Sequence, residues 1–159
     1  MFVLGIDPGL TRMGYGLVRG NPPAAIAAGV IRTDTDAPTE RRLAELHRDL
    51  VAVIAEHRPD VMAIERMFTN RNLHTAISVG RASGVALLAA AQAGLPAVEY
   101  SPTTVKAAVT GDGAADKSMV GEMVMRRLRL AAPPRPADAA DALAVALCHL
   151  QSARMVVPR

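Results

Sequence analysis

Phe2-Val3-Leu4-Gly5-Ile6-Asp7-Pro8-Gly9 is the stretch that decides how the rest of the chain is read. Its apolar run has the length of a strand, ends in a carboxylate and is broken at once by Pro8-Gly9. This pattern predicts a buried central strand with one acid at its end. Such a position fixes a side chain well, at a point where a crevice can form. Asp7 is therefore a candidate functional residue, although an acid that only caps the turn before Gly9 fits this segment equally well.

The composition indicates one domain with an aliphatic core. The chain has 159 residues, of which 50% are hydrophobic and 3% aromatic, and a chain of this size can fold unaided as one domain. We predict a domain over residues 1–150 and a short tail over residues 151–159. There is no uninterrupted apolar run of about 20 residues and no signal-peptide pattern, which predicts a cytoplasmic protein. Cys148, the single cysteine, is expected in the core rather than as a nucleophile.

The charge favours a polyanionic partner. The formal net charge is +3 and the isoelectric point is about 9.6, a modest basic bias. Among 18 basic residues, lysine occurs only as Lys106 and Lys117. In a chain that otherwise uses arginine, these two positions are candidates for sites where a compact ammonium is needed.

The next segments predict a meander, a helix and a second strand that ends in an acid. Strands over residues 14–18 and 24–31 would form an antiparallel meander with the first strand. Thr35-Asp36-Ala37-Pro38 carries capping signals for an amphipathic helix that runs to about His57. The apolar run over residues 61–64 then ends in Glu65. Because strands joined through a helix tend to be parallel, Glu65 should reach the same sheet edge as Asp7.

A polar loop and a helix with small residues follow. In the loop over residues 67–72, Phe68 is a candidate for stacking on nucleic-acid bases, and the alternative is that it packs back onto the sheet. The helix over residues 73–93 contains Gly80 and Gly84, which destabilise a helix unless something approaches closely. Either a sheet or a second copy of the chain could do so, and we favour a homodimer contact.

The C-terminal half predicts an anion site and a pair of acids. After a short strand over residues 97–100, a helix beginning at Ser101-Pro102 carries Lys106. Asp116 is predicted to cap the next helix, which runs from Lys117 to Leu130. The positive end of this helix and Lys117 would together attract a phosphate. In the last helix, over residues 137–150, Asp138 and Asp141 lie about 60° apart and form one patch. The helix dipole alone could explain acids at this end.

Four carboxylates thus begin or end apolar elements: Asp7, Glu65, Asp138 and Asp141. No cluster of histidine or cysteine accompanies them in the sequence. Oxygen ligands without nitrogen or sulfur favour Mg²⁺ or Mn²⁺ over zinc. The pattern therefore predicts a site for hard divalent cations.

The motifs resemble those of the RuvC family of bacterial Holliday-junction resolvases. The resemblance runs in order from Met1 to about His149. It is carried by residues 5–9 with 14–16, by Ala63-Ile64-Glu65-Arg66-Met67-Phe68, by Asp116-Lys117-Ser118 and by Ala137 through Ala144. It implies an α/β, RNase H-like fold with a mixed five-stranded sheet flanked by helices, and a homodimer that acts on four-way DNA junctions in recombination and repair. The branch-migration proteins RuvA and RuvB are then candidate partners.

The resemblance also implies roles for individual residues. Asp7, Glu65, Asp138 and Asp141 would hold two Mg²⁺ ions, about 4 Å apart in such sites, with Mn²⁺ as a substitute. Lys117 would be catalytic, Lys106 and Lys117 would lie near the scissile phosphate, and Phe68 would lie at the junction centre. We also assign Arg71, in the same loop as Phe68, to DNA binding.

Three alternative functions remain open at this point. An actin-like phosphotransferase also uses an Asp-x-Gly turn to hold phosphates, although that architecture needs two lobes. A non-catalytic junction-binding module on the same fold would bind DNA without Mg²⁺-dependent nicking. A related RNase H-like resolvase family also begins with an Asp-Pro-Gly turn, but the paired acids of the last helix fit the RuvC pattern better.

Overall fold

A computed structural model describes residues 1–66 and 72–156, with side chains described as far as residue 153. Within these ranges the chain forms five strands and five helices. In chain order they are β1 (Phe2–Asp7), β2 (Arg12–Arg19), β3 (Ala24–Arg32), α1 (Thr39–His57), β4 (Val61–Glu65), α2 (Leu73–Gln92), β5 (Ala97–Tyr100), α3 (Pro102–Thr110), α4 (Lys117–Leu128) and α5 (Ala137–Val156).

The strands form one mixed sheet in the order β3-β2-β1-β4-β5, with β1 at its centre. Strands β1, β2 and β3 are an antiparallel meander, whereas β4 is parallel to β1 and β5 is parallel to β4. The pairing of Ile6 with Ile64 places the next residue of each strand, Asp7 and Glu65, at the same sheet edge. The predicted mixed five-stranded sheet, its meander and its parallel crossover are therefore confirmed.

Helices cover both faces of the sheet, and alternate residues of β1 point to each face. Leu4 and Ile6 belong to a buried cluster with residues of α1 and α2. Val3 belongs to a second cluster with residues of α3, α4 and α5. This alternation is what a strand buried on both faces requires. Cys148 lies in the second cluster and is fully buried, as predicted.

Helix α5 approaches the sheet so closely that only glycine fits beneath it. A Cβ atom on Gly5 would run into the backbone carbonyl oxygen of Ala142, and one on Gly14 would run into that of Asp138. These glycines lie on neighbouring strands. The close approach therefore fixes the first turns of α5 against the end of β1, where Asp7 lies.

Gly5→Ala is therefore expected to lower the free energy of unfolding by about 1–3 kcal/mol, the usual cost of forcing an extra group into a packed core. The measurement is urea unfolding of the purified protein. Gly121→Ala in α4 is the matched control, because the space beside Gly121 is open and alanine is the better helix former by about 1 kcal/mol. Equal stability of the two variants would contradict the close packing of α5.

Three predicted boundaries need correction. Helix α1 begins at Thr39, and its N-cap is Pro38, which makes no side-chain capping bond. Pro38 belongs to the predicted capping stretch, but its polar members, Thr35 and Asp36, instead belong to a turn in which Asp34 accepts a hydrogen bond from the backbone of Asp36. Helix α4 ends at Leu128, whereas the segment was expected to run to Leu130. Helix α5 continues through Val156, into the predicted tail.

Helix α2 leaves an apolar stripe exposed. Leu73, Ile77 and Leu88 expose 76%, 46% and 51% of their surfaces, and Gly84 on the same face has open space beside it. A packed sheet therefore does not explain Gly84. Within residues 1–66 and 72–156, α2 is the one helix long and apolar enough to cross a membrane by length and composition. One such helix is weak evidence for a membrane span.

Candidate functional site

The four predicted acids line one cavity at the edge of the sheet. Its volume is roughly 340 Å³. Strand β1 contributes Asp7 and strand β4 contributes Glu65, while the first turns of α5 contribute Asp138 and Asp141. Acids from three distant segments of the chain therefore meet in one place.

Both lysines line the same cavity. Lys106 comes from α3 and Lys117 from the first turn of α4. Six of the eight residues named from the sequence are thus brought together. The other two, Phe68 and Arg71, lie outside the described residues, and their roles stay predictions.

Asp7 is costly to ionise in the metal-free fold. The pKa of Asp7 is raised to about 7, mainly by burial and then by the negative charges of Glu65, Asp141 and Asp138, in that order. The ammonium of Lys117 opposes them and lowers this pKa. The cavity therefore carries more negative charge than its own cations balance, a condition that a bound divalent cation would relieve.

Lys117 forms an ion pair with Asp141. Its Nζ atom donates a hydrogen bond of 2.8 Å to Oδ2 of Asp141, and this bond is the main reason why the pKa of Lys117 is raised. The side chain is otherwise well exposed, at 77%. Asp116 caps the helix as predicted, accepting a hydrogen bond from the backbone N–H of Met119. Lys117 is therefore fixed at its base and accessible at its end.

Arg12 is a site residue that sequence reasoning missed. It begins β2 and lines the cavity, and its Nε atom donates a hydrogen bond of 2.7 Å to Oδ2 of Asp138. The antiparallel meander offered a signal. Residues of β2 that come before the residue paired with Asp7 lie beyond the end of β1 that carries Asp7. Arg12 comes two residues before that partner, Gly14.

The donor set suits a hard divalent cation. The ionisable ligands lining the cavity are four carboxylates, with no histidine or cysteine among the described lining residues. Oxygen-only sets of this kind favour Mg²⁺ or Mn²⁺. Among the residues that the structure describes, however, no three acidic, histidine or cysteine side chains are close enough to form a preassembled metal centre. Asp138 and Asp141 each give one oxygen to a protein cation instead.

Two titratable residues of α5 lie away from this cavity. His149 is buried, and its Nδ1 atom lies 2.8 Å from the hydroxyl of Tyr100. Burial lowers the pKa of His149. Burial also raises the pKa of the Cys148 thiol to about 11, so the thiol stays protonated at neutral pH and is a poor nucleophile.

Comparison with known proteins gives one consistent result. A family model described as crossover junction endodeoxyribonuclease RuvC matches residues 3–149. A crossover junction endodeoxyribonuclease RuvC from Salinispora arenicola is 56% identical over 153 residues, which are 94% of this chain and 87% of the relative. The relative from Streptomyces coelicolor is 51% identical, over 94% of this chain and 81% of its own length.

A solved structure gives the same result for the fold. Thermus thermophilus RuvC in complex with a Holliday junction substrate superposes with a TM-score of 0.93 at 39% identity, covering 98% of this chain and 96% of that one. The predicted RNase H-like fold is therefore confirmed.

Proposed function

The chain belongs to the RuvC family of crossover junction endodeoxyribonucleases, and from that premise we propose that it resolves four-way DNA junctions by metal-dependent nicking of two strands of like polarity. The convergence of Asp7, Glu65, Asp138 and Asp141 on one cavity carries this proposal. The activity belongs to homologous recombination and DNA repair. Membership of this family also removes the support for an actin-like phosphotransferase.

The four carboxylates and the two lysines of the cavity each have a role in the proposed reaction. The four carboxylates would hold Mg²⁺, which would supply an activated water and charge stabilisation for the leaving 3′ oxygen in a displacement at phosphorus. Asp7 must lose its proton to act as a ligand, and Lys117 assists by lowering its pKa. The exposed ammonium of Lys117 can offset negative charge that develops on the phosphate. Lys106, which lines the same cavity, would contact a neighbouring phosphate.

The direct test is incubation of the protein with a synthetic four-way junction, with and without Mg²⁺. We expect paired nicks at symmetric positions only when Mg²⁺ is present, and no cutting of a linear duplex of the same sequence. Junction binding without nicking under every metal condition would favour the non-catalytic module instead. Mn²⁺ in place of Mg²⁺ is expected to support cleavage, because the two ions share oxygen ligands.

The exposed stripe of α2 supports a homodimer. Leu73, Ile77, Gly84 and Leu88 follow one another along a single helical face, and such an apolar face normally marks an interaction surface. Gly84, which lacks a side chain, lets a second backbone approach closely. A two-fold dimer would also present two cavities to a junction that has two equivalent strands to cut.

Leu88→Glu is expected to shift the protein from dimer to monomer, because the substitution places a charge in the apolar stripe proposed as the contact. Size-exclusion chromatography with light scattering measures this shift. Ile26→Glu is the matched control: Ile26 is 47% exposed on β3, away from α2, and its replacement should leave the oligomeric state unchanged. A Leu88→Glu protein with the parent mass would place the dimer contact elsewhere.

The raised pKa of Asp7 predicts a pH-dependent stability without metal. At a pH between 3.8, the ordinary pKa of aspartate, and about 7, the pKa of Asp7 in the fold, Asp7 is protonated in the folded protein and ionised in the unfolded chain. The stabilising contribution of protonated Asp7 is thus complete below pH 3.8 and is lost as the pH rises through 7, with a slope approaching ~1.4 kcal/mol per pH unit. Urea unfolding in a chelator should show this slope in the parent and not in Asp7→Asn. A difference between the two proteins that is independent of pH would contradict it.

The remaining partners and the location follow from the proposed reaction. An enzyme that acts on chromosomal junctions needs access to DNA in the cytoplasm, where we place it. RuvA and RuvB are proposed as partners because a branch-migration machine acts on the same four-way substrate. Co-purification of the protein with RuvA and RuvB on a synthetic junction would test this association.

A further inference from the structure

The two acids of α5 are neutralised by two different protein cations. Oδ2 of Asp138 accepts the 2.7 Å bond from Arg12, and Oδ2 of Asp141 accepts the 2.8 Å bond from Lys117. Both cations line the cavity that holds the four carboxylates. Arg12 and Asp138 therefore form an ion pair of the same kind as Lys117 and Asp141.

Hydrogen bonds around residues 11 and 33 hold the segment that carries Arg12 in place. Residue 33, a buried threonine, donates its backbone N–H to the carbonyl of Thr11 at 3.2 Å. Arg42 of α1 donates to the hydroxyls of Thr33 and Thr11 at 3.0 and 2.7 Å. These bonds hold the turn that precedes β2, from which Arg12 extends. The side chains of Arg12 and Asp138 are 42% and 28% exposed, so water and metal ions can reach this pair.

We propose that Arg12 is a positioning residue: it is the counter-ion of Asp138 in the metal-free protein, and it yields that carboxylate to a divalent cation when one binds. This proposal rests on the proposed metal-dependent function. A guanidinium does not lose its proton in proteins, so at neutral pH Arg12 stays charged and a metal ion must compete with it for Asp138. The same positive charge also repels an incoming dication at close range.

The arrangement of the acids agrees with this role. Within residues 1–66 and 72–156, no three acids are close enough to form a preassembled metal centre, although four line the cavity. The ion pair with Arg12 engages one oxygen of Asp138 that a metal ion could otherwise use. Loss of Arg12 should therefore make metal binding tighter, whereas an arginine that served only to stabilise the fold would leave metal affinity unchanged.

The test measures Mg²⁺ binding without DNA, by the increase in the thermal unfolding temperature of the full chain as Mg²⁺ is added. We expect Arg12→Gln to lower the Mg²⁺ concentration of half-maximal stabilisation roughly 5-fold or more, the usual size of a coupling between two sites. Arg12→Lys, which keeps the positive charge, should restore the parent value in large part. Arg41→Gln makes the same change of charge on an exposed face of α1, where Arg41 pairs with Glu45, and should not change it.

A second measurement uses the parent protein, so that it does not depend on the folding of a variant. The NMR signal of the Arg12 Nε–H group should be protected from exchange without metal and should lose that protection when Mg²⁺ saturates the site. An unchanged or raised Mg²⁺ midpoint in Arg12→Gln, or a protected signal in saturating Mg²⁺, overturns the role of Arg12. If Mg²⁺ does not stabilise the parent protein, the proposed metal site is wrong. If Mg²⁺ stabilises the parent but the Mg²⁺ midpoint or the Nε–H signal does not change as expected, only the role of Arg12 is wrong.

Discussion

Replacement of Asp7 by asparagine is expected to abolish junction cleavage and to leave junction binding largely intact. The asparagine side chain would keep the shape of the aspartate but remove the charge on which a hard cation depends. We expect a loss of at least the roughly 10³-fold that follows removal of one well-placed electrostatic group. DNA binding depends on cations that contact phosphates, and Asp7 is not one of them.

The experiment compares single-turnover cleavage of a labelled four-way junction with a gel shift of the same junction. Asp49→Asn is the matched control, because Asp49 lies on the outer face of α1, paired with Arg48, and loses the same charge. Its cleavage rate should equal that of the parent. Residual cleavage by Asp7→Asn near the parent rate would remove Asp7 from the metal site.

Asp7→Asn should also alter stability in a direction that distinguishes a functional acid from a structural one. Ionised Asp7 is unfavourable in the metal-free fold, because it is buried beside three other acids. The neutral variant should therefore be more stable than the parent at a pH of about 8 in a chelator, above the raised pKa. An acid that merely capped the turn before Gly9 would have the opposite effect, since its removal would cost a hydrogen bond.

The sheet and its acids could be predicted because their signals are local. The apolar runs that end in Asp7 and Glu65 are each readable within a few residues, and one topological rule joins them. The acids of α5 were recognised from their helical spacing. That these three segments share one site is predicted from the pattern of the four acids and from the family resemblance. The structure adds the reason: Gly5 and Gly14 allow α5 to lie directly on the sheet.

The pairing of Arg12 could not be predicted in the same way. Arg12 and Asp138 are 126 positions apart, and the antiparallel pairing that places Arg12 near Asp7 does not indicate which acid the arginine contacts. Its importance depends on strand register together with the seating of α5, which are both properties of the assembled fold. The exposed stripe of α2 is similar, because hydropathy alone does not tell a core helix from one that meets a second chain.

Lys117→Ala is expected to slow cleavage by about 10²-fold to 10³-fold, the usual loss for one group that stabilises a developing charge, while it weakens junction binding only a few-fold. Two effects act in the same direction. The variant loses a cation that can face the phosphate, and it loses the charge that lowers the pKa of Asp7. The pH dependence of cleavage at a fixed, limiting Mg²⁺ concentration should therefore move to higher pH in the variant.

Arg126→Ala is the control for Lys117, since it removes one positive charge from the exposed last turn of the same helix, about 13 Å from Lys117 at roughly 1.5 Å per residue. It should lower junction affinity slightly and leave the cleavage rate of bound junction unchanged. Lys117→Arg keeps the charge but spreads it over a planar group, so partial recovery is expected. If Lys117→Ala lowered binding and cleavage by the same factor, the lysine would be a tether for DNA, and stabilisation of the reacting phosphate would fall to the carboxylate-bound metal alone.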